Sequence, residues 1–100
     1  MDKSAVIKIV QDYKKVVQTI VPNAAIYLYG SYSKGTAHQD SDIDVAVIVP
    51  RLMEDQNWWA TSTSLWGATR KVNTLIEPVL MEHCHPSPLY EDVMRTGIQI

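Results

Sequence analysis

The chain has 100 residues, of which 46% are hydrophobic and 20% are charged, and its formal net charge at pH 7 is −2. This length allows one domain with a single core, and the composition excludes a disordered or fibrous chain. The charge excludes a strongly basic surface, so we expect no direct nucleic-acid binding through bulk electrostatics.

The cysteine content and the absence of long apolar runs indicate the compartment. Cys84 is the only cysteine, so no intramolecular disulfide can form, which fits a reducing environment. No apolar run approaches the roughly 20 residues that span a bilayer. The first ten residues mix charged and apolar side chains, unlike a signal peptide. We therefore expect a cytoplasmic protein without membrane contact.

The hydrophobic spacing predicts alternating helices and strands. Apolar residues recur at helical spacing after Ser4, and strict alternation makes residues 42–49 the clearest strand. In chain order, the predicted elements are a helix at 4–20, a strand at 25–29, a polar turn with at most one helical turn at 31–36, a strand at 42–49, a helix at 54–72, a strand at 75–81, a helix at 87–96 and a short strand at 98–100. This order predicts an α/β (α+β) fold with a small mixed sheet flanked by helices.

A glycine and a serine follow the first predicted strand. Gly30 permits a tight turn and a close approach of the backbone, and Ser31 follows at the start of the polar turn. Free N–H groups at a helix start, together with the Ser31 hydroxyl, form an anion site that suits phosphate. A simple turn glycine is the alternative interpretation.

Two aspartates lie on one face of the predicted 42–49 strand. Asp42 and Asp44 are separated by about 7 Å on strand rise, and such carboxylates repel each other unless a cation lies between them. Mg²⁺, which prefers carboxylate and phosphate oxygens, is the natural partner. A third carboxylate is expected from another element; Glu77 is the best candidate and Glu82 the runner-up. A solvated sheet face is the alternative for the aspartates, and a solvated edge position for Glu77.

A phosphate-binding turn beside a metal-binding strand indicates phosphoryl or nucleotidyl transfer. The residues Gly30-Ser31, ten intervening residues and Asp42-Ile43-Asp44 resemble the signature of the DNA polymerase β-like nucleotidyltransferase superfamily. The chain is most similar to its smallest branch, the minimal nucleotidyltransferase (MNT) proteins. That similarity extends to Lys34-Gly35-Thr36-Ala37, to Ile76-Glu77-Pro78-Val79, and to residues 87–98.

The resemblance implies a palm-like fold and a single minimal nucleotidyltransferase domain at residues 1–100. It implies ATP as substrate and two Mg²⁺ ions held by Asp42, Asp44 and Glu77, with Gly30 and Ser31 on the β- and γ-phosphates. Glu77 departs from the more common aspartate but can also bind metal. It further implies a HEPN-type toxin as partner, to whose tyrosine AMP is transferred, so that the MNT protein acts as antitoxin.

Several interpretations stay open at this stage. The protein could be an active adenylyltransferase, a catalytically silent nucleotide-binding antitoxin, or a small-molecule nucleotidyltransferase, for which the chain is short. It could form a homodimer or a hetero-oligomer. Lys34 and Ser41 are further candidate nucleotide contacts, with a surface position as the alternative for Lys34. Trp58, Trp59 and Trp66 are expected to pack in the core or at an interface. His83, Cys84 and His85 are expected to lie in a loop, with a zinc site as the alternative, which is disfavoured because a structural zinc site needs four ligands and the sequence has no second cluster.

Overall fold

The computed structural model describes residues 1–38 and 41–100, and the predicted loop at 37–41 lies partly outside them. Four helices and four strands follow one another in the predicted order. They are α1 Lys3–Ile20, β1 Ala25–Tyr29, α2 Ser31–Lys34, β2 Ile43–Val49, α3 Trp58–Thr69, β3 Ile76–Glu82, α4 Pro88–Thr96 and β4 Ile98–Gln99.

Helix α1 forms where the helical spacing of apolar residues predicts it. The side chain of Asp2 accepts a hydrogen bond of 2.8 Å from the Ala5 N–H and caps the start of the helix. One stripe of the helix is buried: Val6, Val10, Tyr13 and Val17. The opposite face is charged, and in the described part of the chain no helix is both long and apolar enough to cross a membrane.

The four strands form one mixed sheet in the order β3-β2-β1-β4. Strand β1 pairs antiparallel with β2 and with β4, whereas β2 and β3 run parallel. Strand β3 therefore lies at an edge of the sheet, where Pro78 can be accommodated without breaking a second ladder. The predicted fold class, a small mixed sheet flanked by helices, is confirmed.

Alternation along the strands divides the core into two layers. The main layer packs α1 and α3 against one face of the sheet through Ile43, Val45 and Val47. A smaller layer packs α4 against the other face, with Tyr90 and Val93 on Ala46 and Ile48. Because α4 is short, it covers only part of this second face.

Helix α3 is shorter than the predicted 54–72. It begins at Trp58 because the Asn57 side chain accepts a hydrogen bond of 3.0 Å from the Ala60 N–H, while Met53 and Gln56 close a separate turn. Of the two roles expected for its tryptophans, packing in the core was wrong, and a position at an interface stays a prediction. The exposed fractions are 40% for Trp58, 78% for Trp59 and 49% for Trp66, and the smaller buried side chains of the helix are Thr61, Leu65, Ala68 and Thr69.

One buried hydrogen bond joins α1 to α3. The hydroxyl of the fully buried Tyr13 donates to the Leu65 carbonyl oxygen at 2.7 Å. Tyr13→Phe removes this bond and keeps the ring, so we expect the free energy of unfolding to fall by about 1 kcal/mol. Urea unfolding measures the change. The control is Tyr27→Phe, whose hydroxyl makes an exposed bond of 3.4 Å to Gln99 and should cost only a few tenths of a kcal/mol. Equal decreases in the free energy of unfolding of the two variants would show that the buried Tyr13 hydrogen bond does not stabilise the contact between α1 and α3.

Candidate active site

Three polar side chains lie side by side across the less covered face of the sheet. In the strand register, Asp44 of β2 is paired with Tyr29 of β1 on one side and with Glu77 of β3 on the other. Neighbouring strands are about 4.8 Å apart, so the two carboxyl groups are direct neighbours. Asp42 immediately precedes β2 and lies near enough to Glu77 for its charge to raise the pKa of that carboxyl group. The structure thus brings together the three carboxylates that the sequence singles out.

Burial and neighbouring charges raise the pKa of two of the three carboxyl groups, those of Asp44 and Glu77. Burial, and then the charge of Asp42, raises the pKa of Asp44. Burial is also the largest cause of the raised pKa of Glu77, followed by the charges of Asp42 and Asp44. Burial, and then the charges of Asp44 and Glu77, raise the pKa of Tyr29 to about 12. The site is therefore a region of concentrated negative potential.

This donor set fits a divalent cation that prefers oxygen ligands. Among the described residues, no lysine, arginine or histidine forms an ion pair with Asp42, Asp44 or Glu77. An uncompensated cluster of carboxylates on a half-buried surface suits Mg²⁺, which takes carboxylate and phosphate oxygens. Glu82, the runner-up, lies at the other end of β3, where its carboxylate accepts a hydrogen bond from the Leu52 N–H.

Gly30 places the turn against the carboxylates. Its backbone has φ 72° and ψ −144°, a region that is open essentially only to glycine. A Cβ atom on Gly30 would lie 3.1 Å from Cγ of Asp44 and would collide with its carboxylate oxygen. The Gly30 carbonyl accepts hydrogen bonds from the Lys34 N–H and from the Ser33 hydroxyl, which fold α2 back on the turn. Ser31, half-buried, begins α2 directly beside this contact.

Lys34 and Ser41 have other partners in the structure. The Lys34 amino group lies 3.1 Å from a carboxylate oxygen of Asp92 on α4, and Arg95 binds the same carboxyl group at 2.8 Å. Arg95 and Lys34 lower the pKa of Asp92. The Ser41 hydroxyl oxygen accepts a 2.6 Å hydrogen bond from the His38 N–H. No local pattern indicated a role for Asp92, because its contact with Lys34 spans 58 positions.

The close contact at Gly30 leads to a prediction about stability. We expect Gly30→Ala to lower the free energy of unfolding by about 1–3 kcal/mol more than Gly35→Ala, because the added methyl group must displace Asp44. Gly35 is the matched control, since it also has positive φ, 75°, but has open space around its Cβ position. Urea unfolding compares the two variants. Similar losses would mean that the carboxylate does not abut the turn.

The mutual repulsion at Asp44 leads to a second prediction. A carboxyl group whose pKa rises on folding stabilises the fold only while it is protonated, and this contribution is lost as the pH rises through the folded-state pKa. At neutral pH in EDTA, Asp44→Asn should therefore raise the melting temperature, and the gain should shrink as the pH falls towards about 4. Mg²⁺ should stabilise the wild type and leave Asp44→Asn nearly unchanged.

Differential scanning fluorimetry measures both effects. Glu54→Gln is the control, since it removes a negative charge from an exposed position in the loop before α3. It should melt like the wild type in EDTA and keep the Mg²⁺ shift. An undiminished Mg²⁺ shift in Asp44→Asn would show that the cation binds elsewhere.

Two curated proteins are similar to this chain in sequence. A protein of Methanocaldococcus jannaschii, provisionally named a protein adenylyltransferase, is 26% identical over 100 residues, which cover 95% of this chain and 98% of the relative. Protein adenylyltransferase MntA of Shewanella oneidensis is 34% identical over 68 residues. That match covers 68% of this chain but only 45% of MntA, so the chain spans less than half of that relative.

Solved structures share the fold. A nucleotidyltransferase structure from Sulfolobus solfataricus superposes with a TM-score of 0.68 at 15% identity, covering 97% of this chain and 80% of that chain. A toxin–antitoxin structure with AMP-PNP superposes with a TM-score of 0.50 at 28% identity, covering 99% and 72%. The first likeness supports the fold alone.

The match to a family decides the enzyme class. The family described as nucleotidyltransferase domain matches residues 10–86, which include the Gly30 turn and all three carboxylates. The predictions of a nucleotidyltransferase enzyme and of its fold are confirmed. The chain belongs to the nucleotidyltransferase domain family.

Proposed function

We propose that this protein is a Mg²⁺-dependent protein adenylyltransferase that acts as an antitoxin. It transfers AMP from ATP to a hydroxyl group, a tyrosine in this proposal, of a HEPN-type toxin. The observation that carries the proposal is the convergence of Asp42, Asp44 and Glu77 beside the Gly30 turn, with no cationic side chain paired to them in the described part of the chain.

The carboxylates hold the metal in this proposal. Asp42 and Asp44 bind on the triphosphate side, and Glu77 binds with one of them on the acceptor side, which gives sites for two Mg²⁺ ions. When bound, Mg²⁺ offsets phosphate charge and lowers the pKa of the acceptor hydroxyl. Gly30 carries no side chain, so a phosphate can approach the backbone of the turn closely. Together with the backbone of Gly30, Ser31 binds the β- and γ-phosphates in this proposal. Lys34 and Ser41 are further proposed nucleotide contacts.

The reaction is an in-line displacement at the α-phosphorus. The acceptor oxygen forms a bond to this phosphorus, the bond to the β-phosphate oxygen breaks, and pyrophosphate leaves. Glu77 can also accept the hydroxyl proton in this proposal, because its carboxylate is assigned to the acceptor side of the site. The AMP group then remains on the acceptor.

The relatives support the substrate and the partner. MntA is named a protein adenylyltransferase, and the structure that superposes over 99% of this chain is a toxin–antitoxin complex with the ATP analogue AMP-PNP. The HEPN class of the partner and its tyrosine acceptor rest on the resemblance to MNT proteins. A partner of this kind makes a hetero-oligomer the proposed functional assembly.

Transfer of labelled AMP tests the proposal. The purified protein is incubated with Mg²⁺, ATP labelled on the α-phosphate and the product of the adjacent gene, which the proposal expects to be a HEPN protein. We expect label on a tyrosine of the partner, identified by mass spectrometry. Asp44→Asn and Glu77→Gln should reduce the rate at least about a hundredfold, since metal-assisted charge stabilisation supplies several kcal/mol. Glu82→Gln is the control, because it makes the same change at the other end of the same strand.

The alternatives give different results in the same assay. A stable complex without label would support a catalytically silent antitoxin. Label on neither protein, with transfer to a small-molecule hydroxyl such as that of an aminoglycoside, would support a small-molecule nucleotidyltransferase. Full activity of Asp44→Asn would remove the metal role from the mechanism.

A further inference from the structure

The turn after β3 brings together three side chains of different metal-binding chemistry. Glu82, Cys84 and His85 each offer one ligand atom, and these atoms all lie within 4.8 Å of one another. The Cys84 sulfur is 3.2 Å from Nδ1 of His85 and 3.7 Å from Oε2 of Glu82. Nδ1 of His85 lies 3.7 Å from the other carboxylate oxygen, Oε1 of Glu82.

The thiol, the imidazole and the carboxylate are close enough together for one cation to contact all three after a small adjustment of the side chains. With zinc bonds of about 2.0–2.3 Å, tetrahedral ligand atoms lie roughly 3.3–3.7 Å apart. We propose that Glu82, Cys84 and His85 form a binding site for a borderline-soft divalent cation, Zn²⁺ in particular, with solvent as the fourth ligand. Thiolate and imidazole ligands favour Zn²⁺ over Mg²⁺.

Backbone hydrogen bonds hold the turn in this shape. The His83 N–H donates to the Val49 carbonyl at 2.8 Å, the Cys84 N–H to the Pro50 carbonyl at 3.2 Å, and the His85 N–H to the Glu82 carbonyl at 3.1 Å. The Leu52 N–H donates to Oε2 of Glu82 at 3.1 Å and orients this carboxylate. Such a supporting partner is typical of metal ligands.

The two histidines of the turn differ in how readily their ring nitrogens can bind a cation. Nδ1 of His83 is engaged with the hydroxyl of Tyr90, on α4. The side chain of His85 is 78% exposed and that of Glu82 is 19% exposed, and Cys84 is exposed as well. A cation from solvent therefore reaches the cluster without rearrangement of the core, and on binding the thiol proton passes to the solvent.

The cluster is separate from the nucleotidyltransferase site. Glu82 follows Glu77 by five positions in β3, a distance of about 16 Å on strand rise. The proposal thus does not depend on the proposed function, and binding at the two sites can be measured separately.

Cobalt absorption spectroscopy tests the site on the full chain. Co²⁺ is titrated in a large molar excess of Mg²⁺, which occupies sites made of carboxylates alone. Because Cys84 is the only cysteine, a thiolate-to-cobalt charge-transfer band reports this cluster alone. We expect the band to saturate at one Co²⁺ per chain and to disappear when one equivalent of Zn²⁺ is added.

Variants of the turn residues complete the test. Cys84→Ser should abolish the band, and His85→Gln and Glu82→Gln should each weaken Co²⁺ binding at least about tenfold. His83→Gln is the matched control and should keep the band, and circular dichroism checks that all variants fold. The proposal is overturned by the absence of a band, by one Co²⁺ per two chains, or by wild-type affinity in both His85→Gln and Glu82→Gln.

Discussion

The parallel register of β2 and β3 is the constraint on which the candidate active site depends. The Ile43 N–H donates to the Leu75 carbonyl at 2.8 Å where the two strands begin, and this bond leads into the register that pairs Asp44 with Glu77. A slip of one residue would turn Glu77 towards the other face of the sheet, where Ile43 and Ile76 are fully buried. Burial of apolar residues on one face therefore aligns the carboxylates on the other.

The same arrangement makes the site unfavourable for the isolated fold. Helix α4 shields the middle of the second face with Tyr90 and Val93, and Tyr29 belongs to the same buried cluster. Asp44 and Glu77, which follow Tyr29 in the strand register, are only partly buried. Partial burial strengthens the repulsion between the acids without supplying a cation. The ion pair between Lys34 and Asp92 joins α2 to α4 and brings positive charge near the turn, not among the carboxylates. Repulsion between the carboxylates therefore lowers the stability of the fold at this site, and a bound metal ion with its phosphates would relieve that repulsion.

Local patterns predicted most of the fold, and non-local contacts account for what they missed. The alternation in β2 and the glycine at position 30 are features of a few consecutive residues, so the elements and the turn could be derived directly. Helix α3 was predicted too long, because the spacing of apolar residues did not reveal that Asn57 caps its start. Its buried face is formed by smaller residues such as Thr61 and Ala68 instead of the tryptophans. The parallel pairing of β2 with β3 spans the whole of α3 and could not be fixed by periodicity. The positions of Asp42, Asp44 and Glu77 agreed with expectation, whereas Asp92 required the tertiary structure.

Strand β3 separates two kinds of acidic side chain. Glu77 near its start faces Asp42 and Asp44, and Glu82 at its end faces a thiol and an imidazole. The separation of about 16 Å on strand rise is roughly twice the screening length at physiological ionic strength. The charge of Glu82 therefore contributes little to the raised pKa of Glu77, whose causes lie in burial and in the two aspartates. Because a paired strand keeps this distance fixed, hard oxygen ligands at one end and mixed ligands at the other can select different cations independently.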